Sequence, residues 1–118
     1  PYLQAVIAAR AGEYTLARSR LDRSGMAARG VPAAMLLDAV ISLEEGNPDR
    51  AAATLQRLTA RQPANARAQE MLAKAMFDAG RNDALFERFA DQVRQPEASP
   101  YLLMLMARAY ERSGDRAR

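Results

Sequence analysis

Apolar residues recur along this chain with the spacing of one face of a helix, and short clusters containing glycine, proline or asparagine interrupt them at regular intervals. In one segment Met71, Leu72, Ala75 and Met76 fall at positions i, i+1, i+4 and i+5, which places them on one side of a helix. Read in this way, the pattern predicts seven helices, over residues 2–11, 14–28, 33–45, 48–61, 66–79, 82–95 and 101–113. The predicted fold class is therefore all-α.

Two residue types keep a fixed distance from one another through the whole chain. Glycine recurs every 34 residues, at Gly12, Gly46, Gly80 and Gly114, and alanine recurs seven residues before each glycine, at Ala5, Ala39, Ala73 and Ala107. A period of 34 is typical of a helical-hairpin repeat. Glycine at a turn tolerates positive φ, and alanine where two helices cross allows them to approach closely. We expect each glycine to end the first helix of a hairpin.

Several residues beside these turns are candidate N-caps of the following helices. Asn47, Asn65 and Ser99 each precede a predicted helix and can accept a hydrogen bond from its first turn. Proline follows two of them, at a position where its missing N–H has no helical partner to lose. Asn82 or Asp83 is expected to start the sixth helix.

These residues resemble the tetratricopeptide repeat family. Besides the recurring alanine and glycine, the family has a small residue on the second helix, matched by Ala17 and Ala51, and a proline near the end of the unit, matched by Pro63. The resemblance implies a right-handed α–α superhelix of three to three and a half hairpins, in a single array that starts inside a longer one. The implied repeats are 1–31, 32–65, 66–99 and an incomplete 100–118.

Two positions depart from the family pattern. Asp38 occupies a place where Leu72 and Met106 are apolar, and Leu85 stands where earlier repeats have Ala17 and Ala51. A charge or a larger side chain at a helix crossing changes how closely the helices approach. We expect locally altered packing at both places and irregular curvature around the third repeat.

Composition removes most catalytic chemistries. The 118 residues include no histidine and no cysteine, which excludes the usual proton shuttle, thiol nucleophiles and most zinc and iron–sulfur ligands. We predict no catalytic residue, no metal and no cofactor.

The overall charge does not point to a nucleic-acid partner. The net charge is +3, from interspersed bases and acids, and this disfavours nucleic-acid binding, which needs clustered basic charge. The apolar runs are too short to span a bilayer, so we expect no membrane insertion by this segment.

In this family the first helix of each hairpin lines the concave wall, and the resemblance makes that wall the expected binding surface. The expected partner contacts are Leu36, Val40, Leu43, Arg67, Glu70, Lys74, Phe77, Tyr101, Met104 and Arg108. They change from aliphatic to charged and aromatic along the chain, which suits an extended peptide or an amphipathic helix with one apolar and one charged end. Val40 and Leu43 have a second interpretation as helix packing, because apolar residues at helical spacing are usually core.

Three of these contacts form a candidate patch for an anionic ligand. Arg67, Lys74 and Arg108 are cations on successive first helices, and arginine grips carboxylates with two hydrogen bonds. Ordinary solvated charge is the alternative interpretation. Some members of the family bind a C-terminal carboxylate through lysine and asparagine, but no asparagine accompanies these cations, so we do not expect that clamp.

The leading hypothesis for function is a non-enzymatic scaffold that binds another protein or peptide. The alanine- and arginine-rich style of residues 50–57 resembles bacterial exopolysaccharide-export scaffolds of the Pel and cellulose types. That resemblance implies a periplasmic array that recruits a polysaccharide deacetylase or hydrolase near an outer-membrane pore. The alternatives are direct binding or guiding of the exopolysaccharide, and a cytoplasmic or pilus-assembly adaptor. Self-association is a further alternative, through exposed repeat ends at which Leu102, Leu103, Leu105 and Met106 would be partly uncovered.

Overall fold

The computed structural model describes residues 1–117, with side chains described as far as Gly114. Over that range the chain forms seven α-helices and no strand, which confirms the predicted fold class. The helices are α1 (Tyr2–Arg10), α2 (Tyr14–Ser24), α3 (Pro32–Glu44), α4 (Pro48–Arg61), α5 (Ala66–Asp78), α6 (Asn82–Val93) and α7 (Pro100–Ala117).

The helices pair into hairpins that stack side by side. Each odd-numbered helix touches the next one, α1 with α3, α3 with α5 and α5 with α7, whereas no two even-numbered helices in the described range have Cα atoms within 8 Å. Because the odd helices are drawn together and the even helices are spread apart, the ribbon curves with the odd helices on its inner side. The array is elongated, with extents of 47 × 29 × 20 Å.

Three of the recurring glycines end odd helices in the left-handed conformation, with φ of 77° at Gly12, 76° at Gly46 and 74° at Gly80. This conformation lets a following amide bond back into the helix, as the Asn47 N–H does by donating to the Ser42 carbonyl at 2.8 Å. A Cβ at any of the three glycines would meet nothing within 4 Å. The backbone angle, and not the space, therefore requires glycine.

Gly114 does not form a fourth turn. Helix α7 continues through it to Ala117, so the prediction that this helix ends at Ser113 and turns at Gly114 is wrong. After the other three glycines a second helix packs back on the first. In this chain α7 is the last described helix, so no returning helix offsets the loss of helical hydrogen bonds that a turn would cause.

The recurring alanines lie at helix crossings, with one exception. Ala5, Ala39 and Ala73 are fully buried. Ala107 is exposed, because no described helix covers its side of α7. The recurring alanine is therefore buried where the second helix of a hairpin packs against it. The described residues provide no second helix at Ala107, and its side chain is exposed.

The uncovered side of α7 is less apolar than expected. Leu102 and Leu105 are buried in the core, so the expectation that they would be partly uncovered is wrong. Leu103 is 44% exposed and Tyr110 is 74% exposed, although the Tyr110 ring lies 6.0 Å from that of Phe86. At the opposite end of the array the exposed large apolar side chains are Leu3, Ile7 and Leu16.

Helix α2 is shorter than its apolar pattern predicted. It ends at Ser24 and not at residue 28, because Gly25 adopts the left-handed conformation with φ of 66°. The Ser24 hydroxyl donates to the Leu21 carbonyl at 2.6 Å and accepts from the Met26 amide at 3.2 Å. Such local bonds compete with the helix, so the residues after Ser24 form a turn.

Side-chain caps begin three of the helices as predicted. Asn47, Asn65 and Ser99 accept hydrogen bonds from first-turn amides of α4, α5 and α7 at 3.2, 3.1 and 3.3 Å. Helix α6 starts at Asn82, as predicted, but no side-chain cap forms at its N-terminus. Asn82 is the first residue of the helix and is buried, and its side chain accepts a hydrogen bond from Arg112 instead.

The core consists of two buried clusters that share α3. One contains Leu21 and Ile41 and spans α1–α3, while the other contains Leu55 and Phe89 and spans α3–α7. Leu85 is fully buried in the second cluster, and α5 and α6 approach over a shorter stretch than the other two hairpins do. A leucine in place of alanine accounts for this wider hairpin.

Asp38 is a charge buried where α2 meets α3. Arg18 donates to its carboxylate at 2.7 Å, to the Ser42 hydroxyl at 2.9 Å and to the Glu45 carboxylate at 2.9 Å. The Arg18 and Asp38 side chains are 13% and 11% exposed. Burial alone would lower the pKa of Arg18, but the hydrogen bonds that Arg18 donates to Glu45 and Asp38 outweigh it and raise that pKa above its usual value. The departure at Asp38 is thus matched by a partner on the preceding helix.

Candidate functional site

The aliphatic part of the expected binding surface lies on α3 and is only half accessible. Leu36, Val40 and Leu43 are half-buried, and Leu36 and Leu43 pack against the larger core cluster. Leu43 therefore takes part in helix packing and is also partly accessible. These side chains therefore combine partial exposure with packing against the core.

The charged part of the surface gathers four of the predicted residues around one open cavity between α5 and α7. Arg67, Glu70, Lys74 and Tyr101 line it together with Met71, and its volume is about 430 Å³. The three α5 positions Arg67, Glu70 and Lys74 follow one another at intervals of three and four residues, which brings them onto one helix face. The cavity thus presents two cations, one carboxylate and a phenol over a half-buried methionine.

Two charged or polar side chains of the cavity have defined surroundings. Lys74 Nζ lies 3.1 Å from the Asp78 carboxylate one turn along α5, an exposed pair that contributes little to stability. Burial raises the pKa of the Tyr101 phenol, and Asp78 and Glu70 raise it further against the opposing effect of Lys74. Tyr101 is therefore a neutral hydrogen-bond donor and acceptor at physiological pH.

Three predicted contacts lie outside this cavity. Phe77 is half-buried, and the guanidinium of Arg112 lies over its ring at 4.0 Å while donating to its carbonyl at 2.8 Å. One face of this aromatic ring is therefore occupied by the chain itself. Met104 and Arg108 are exposed on α7, and neither lines the cavity. The candidate anionic patch is thus reduced to Arg67 and Lys74.

The cavity has charged and polar groups that can recognise a bound segment. Its cations, carboxylate and phenol can pair with charges and amides of a bound segment. Among the described residues, no three potential ligands of the histidine, cysteine, aspartate or glutamate type converge to hold a metal ion. Across the same range no helix combines the length and apolarity that crossing a membrane requires.

Comparison with known proteins places the repeat in a family. The tetratricopeptide repeat model matches residues 8–75 and again residues 42–108, so the second match begins one repeat length after the first. The chain belongs to the tetratricopeptide repeat family. Tetratricopeptide repeats generally act as scaffolds that bind other proteins or peptides. Neither the curated proteins nor the solved structures contain a significant match to this chain.

Sequence reasoning missed several polar residues of this tetratricopeptide array. Arg112 and Arg18 were not assigned to a site, although each bridges two helices in the structure. A further set of arginines lies on the even helices, where Arg50, Arg57 and Arg61 follow one face of α4. Their spacing of seven and four residues is visible in the sequence and marks one side of a helix.

Proposed function

We propose that the inner face of this tetratricopeptide array is a non-enzymatic surface that holds a segment of another protein. The observation that carries the proposal is the convergence of Arg67, Glu70, Lys74 and Tyr101 around one open cavity on the odd helices. The half-buried aliphatic side chains of α3 extend that surface in one direction. A segment with an apolar end and an end carrying both charges would match it.

The narrower proposal is that the array works in bacterial exopolysaccharide export. Under this proposal it lies in the periplasm and recruits a polysaccharide deacetylase or hydrolase to an outer-membrane secretion protein. The alanine- and arginine-rich composition of residues 50–57 supports this proposal. A cytoplasmic or pilus-assembly adaptor would use the same inner face with a different partner.

Direct binding of the polysaccharide is the second candidate, and one observation weighs against it. Sugar rings pack on open aromatic faces, and Arg112 already covers one face of Phe77. Among the described residues that line the cavity, Tyr101 is the one aromatic residue. A protein segment therefore fits the inner face better than a sugar chain does.

The test is affinity capture from periplasmic and from cytoplasmic extracts of the source bacterium, with captured proteins quantified by mass spectrometry. We expect a protein that the unmodified array enriches to be lost with Lys74→Glu and with Tyr101→Ala. Arg94→Glu is the matched control, because Arg94 is 78% exposed on the end of α6. A partner that both cavity variants retain would contradict the assignment of binding to the inner face. Calorimetry with oligosaccharides tests the second candidate, direct binding of the polysaccharide.

A further inference from the structure

A second surface lies on the other side of the array, in the gap that separates α2 from α4. These helices do not approach each other, and a groove of about 810 Å³ lies between them. Met35 and Asp38 of α3 form its floor, and the turn of residues 25–30 closes one side. A groove of this size is in the range of a site for a ligand or a short peptide segment.

The groove carries a large share of the positive charge of the chain. Four arginines line it, against two aspartates: Arg29, Arg50, Arg57, Arg61, Asp22 and Asp38. The charge of Asp38 is already matched by Arg18 at 2.7 Å. Asp22 is 61% exposed and so is largely screened by solvent. Arg50 lies 3.8 Å from the Asp38 carboxylate and pairs with it in part. The arginines still outnumber the aspartates in the groove, and this excess of positive charge favours an anionic occupant.

The arginines are arranged in a row. Arg50, Arg57 and Arg61 follow one face of α4, with rises of about 10 Å and about 6 Å between them. Arg61 is anchored by donating to the Gly30 carbonyl at 2.8 Å, and a Cβ at Gly30 would lie 2.6 Å from its terminal nitrogen. Arg57 is exposed and lines the groove, so its guanidinium is available to a ligand.

We propose that this α2–α4 groove binds an acidic peptide segment of a partner protein, with carboxylates held by Arg57 and Arg61. Carboxylates two residues apart on an extended chain are separated by about 7 Å, close to the rise between these two arginines. Small apolar side chains between the cations, Ala27, Ala28 and Ala60, leave room for the backbone of the segment. This site is on the side opposite the proposed inner face and does not depend on it.

A peptide matches the groove better than an anionic polysaccharide does. None of the described residues that line it is aromatic, so it lacks a stacking platform for sugar rings. Arginine forks bind carboxylates with two parallel hydrogen bonds, and a peptide can place such groups at the spacing of the row. A polysaccharide that carries carboxylates becomes the competing outcome of the test.

The test is fluorescence anisotropy of the array with a labelled peptide of alternating glutamate and alanine. We expect saturable binding that weakens as salt is added, and no binding of the matching glutamine peptide. Arg57→Glu should weaken binding about tenfold or more, since it removes one pair and adds repulsion. Arg57→Lys should weaken it about threefold, because lysine keeps the charge and loses the fork.

Arg94→Glu is the control for net charge and should leave the affinity unchanged. Circular dichroism should show unaltered helicity for all three variants, since neither arginine holds the fold together. Equal losses with Arg57→Glu and Arg94→Glu would overturn the site in favour of diffuse attraction. Binding of oligogalacturonate but not of the peptide, or of neither, would also overturn the proposal. Failure here would leave the inner-face proposal standing, because its variants lie on α5 and α7.

Discussion

Replacing Arg18 with methionine should destabilise the array strongly, because it leaves Asp38 without its partner. The substitution removes the hydrogen bonds to Asp38 at 2.7 Å, to Ser42 at 2.9 Å and to Glu45 at 2.9 Å. Glu45 is 34% exposed and can return to water, but Asp38 is 11% exposed and cannot. Arg50 at 3.8 Å compensates only in part. We expect the free energy of unfolding to fall by about 3 kcal/mol, at the low end for a broken buried pair.

The double variant Arg18→Met with Asp38→Leu should recover most of that loss. The equivalent residues in later repeats, Leu72 and Met106, are apolar, so the site accepts a hydrophobic contact. Replacing both members of a buried pair is often neutral or stabilising. We expect the double variant to lie within about 1 kcal/mol of the unmodified chain, and the double-mutant cycle to give a coupling of about 2 kcal/mol or more.

Urea denaturation followed by helical circular dichroism measures both effects. With a slope of about 2 kcal/mol per molar, the single variant should shift the midpoint by about 1.5 M. Hydrogen exchange should speed up chiefly in α1 and α2, which this pair joins to the rest. A single variant within about 0.5 kcal/mol of the unmodified chain, or a double variant as unstable as the single one, would refute the reasoning.

The pH dependence of this defect follows from the sign of the pKa shift. The pKa of Arg18 is raised in the folded chain, so its contribution is fully present below the pKa of the unfolded state. It is lost only as the pH rises through the folded pKa, which lies beyond the ordinary alkaline range. The difference between Arg18→Met and the unmodified chain should therefore be the same at neutral and at mildly alkaline pH.

Four further substitutions test other features of the structure. Gly46→Ala should lower the free energy of unfolding by about 1 kcal/mol, because residue 46 has positive φ. Gly114→Ala should raise it by about 0.5–1 kcal/mol, because residue 114 lies within α7. Thermal melting measures both changes. Arg112→Met removes the cation over Phe77 and should cost about 2 kcal/mol in urea, with faster exchange in α7. The absorbance titration of the Tyr101 phenol, identified by its loss in Tyr101→Phe, should have its midpoint above that of a free tyrosine, because burial raises its pKa. The contribution of Tyr101 to the free energy of unfolding should decline as the pH rises through that midpoint.

The backbone of this protein is largely predictable because its determinants are local. A glycine that ends a helix and an asparagine that begins one act within four residues of themselves. The two errors at helix ends have different origins. Gly114 is helical in α7, and within the described range no later helix packs back on it. Helix α2 stops at Ser24 because the serine hydroxyl and the following glycine compete with the helical pattern.

The candidate site is less predictable because its members come from different helices. Arg67, Glu70 and Lys74 share a helix face, and that part follows from spacing alone. Whether Arg108 joins them depends on how α7 is set against α5, which spacing within one helix does not determine. Arg112 lies 35 residues from the carbonyl it binds, and the repeat pattern contains no signal for such a contact.

In the part of the chain that the structure describes, each helix contacts helices one or two places away along the sequence and none farther. A pulling force applied to its two ends would therefore meet a series of separate junctions rather than one shared core. The polar junction at Arg18 and Asp38 should yield first, since water readily replaces short-range polar contacts once they separate. Each hairpin released would lengthen the chain by about 110 Å, so a protein of this design extends stepwise under load.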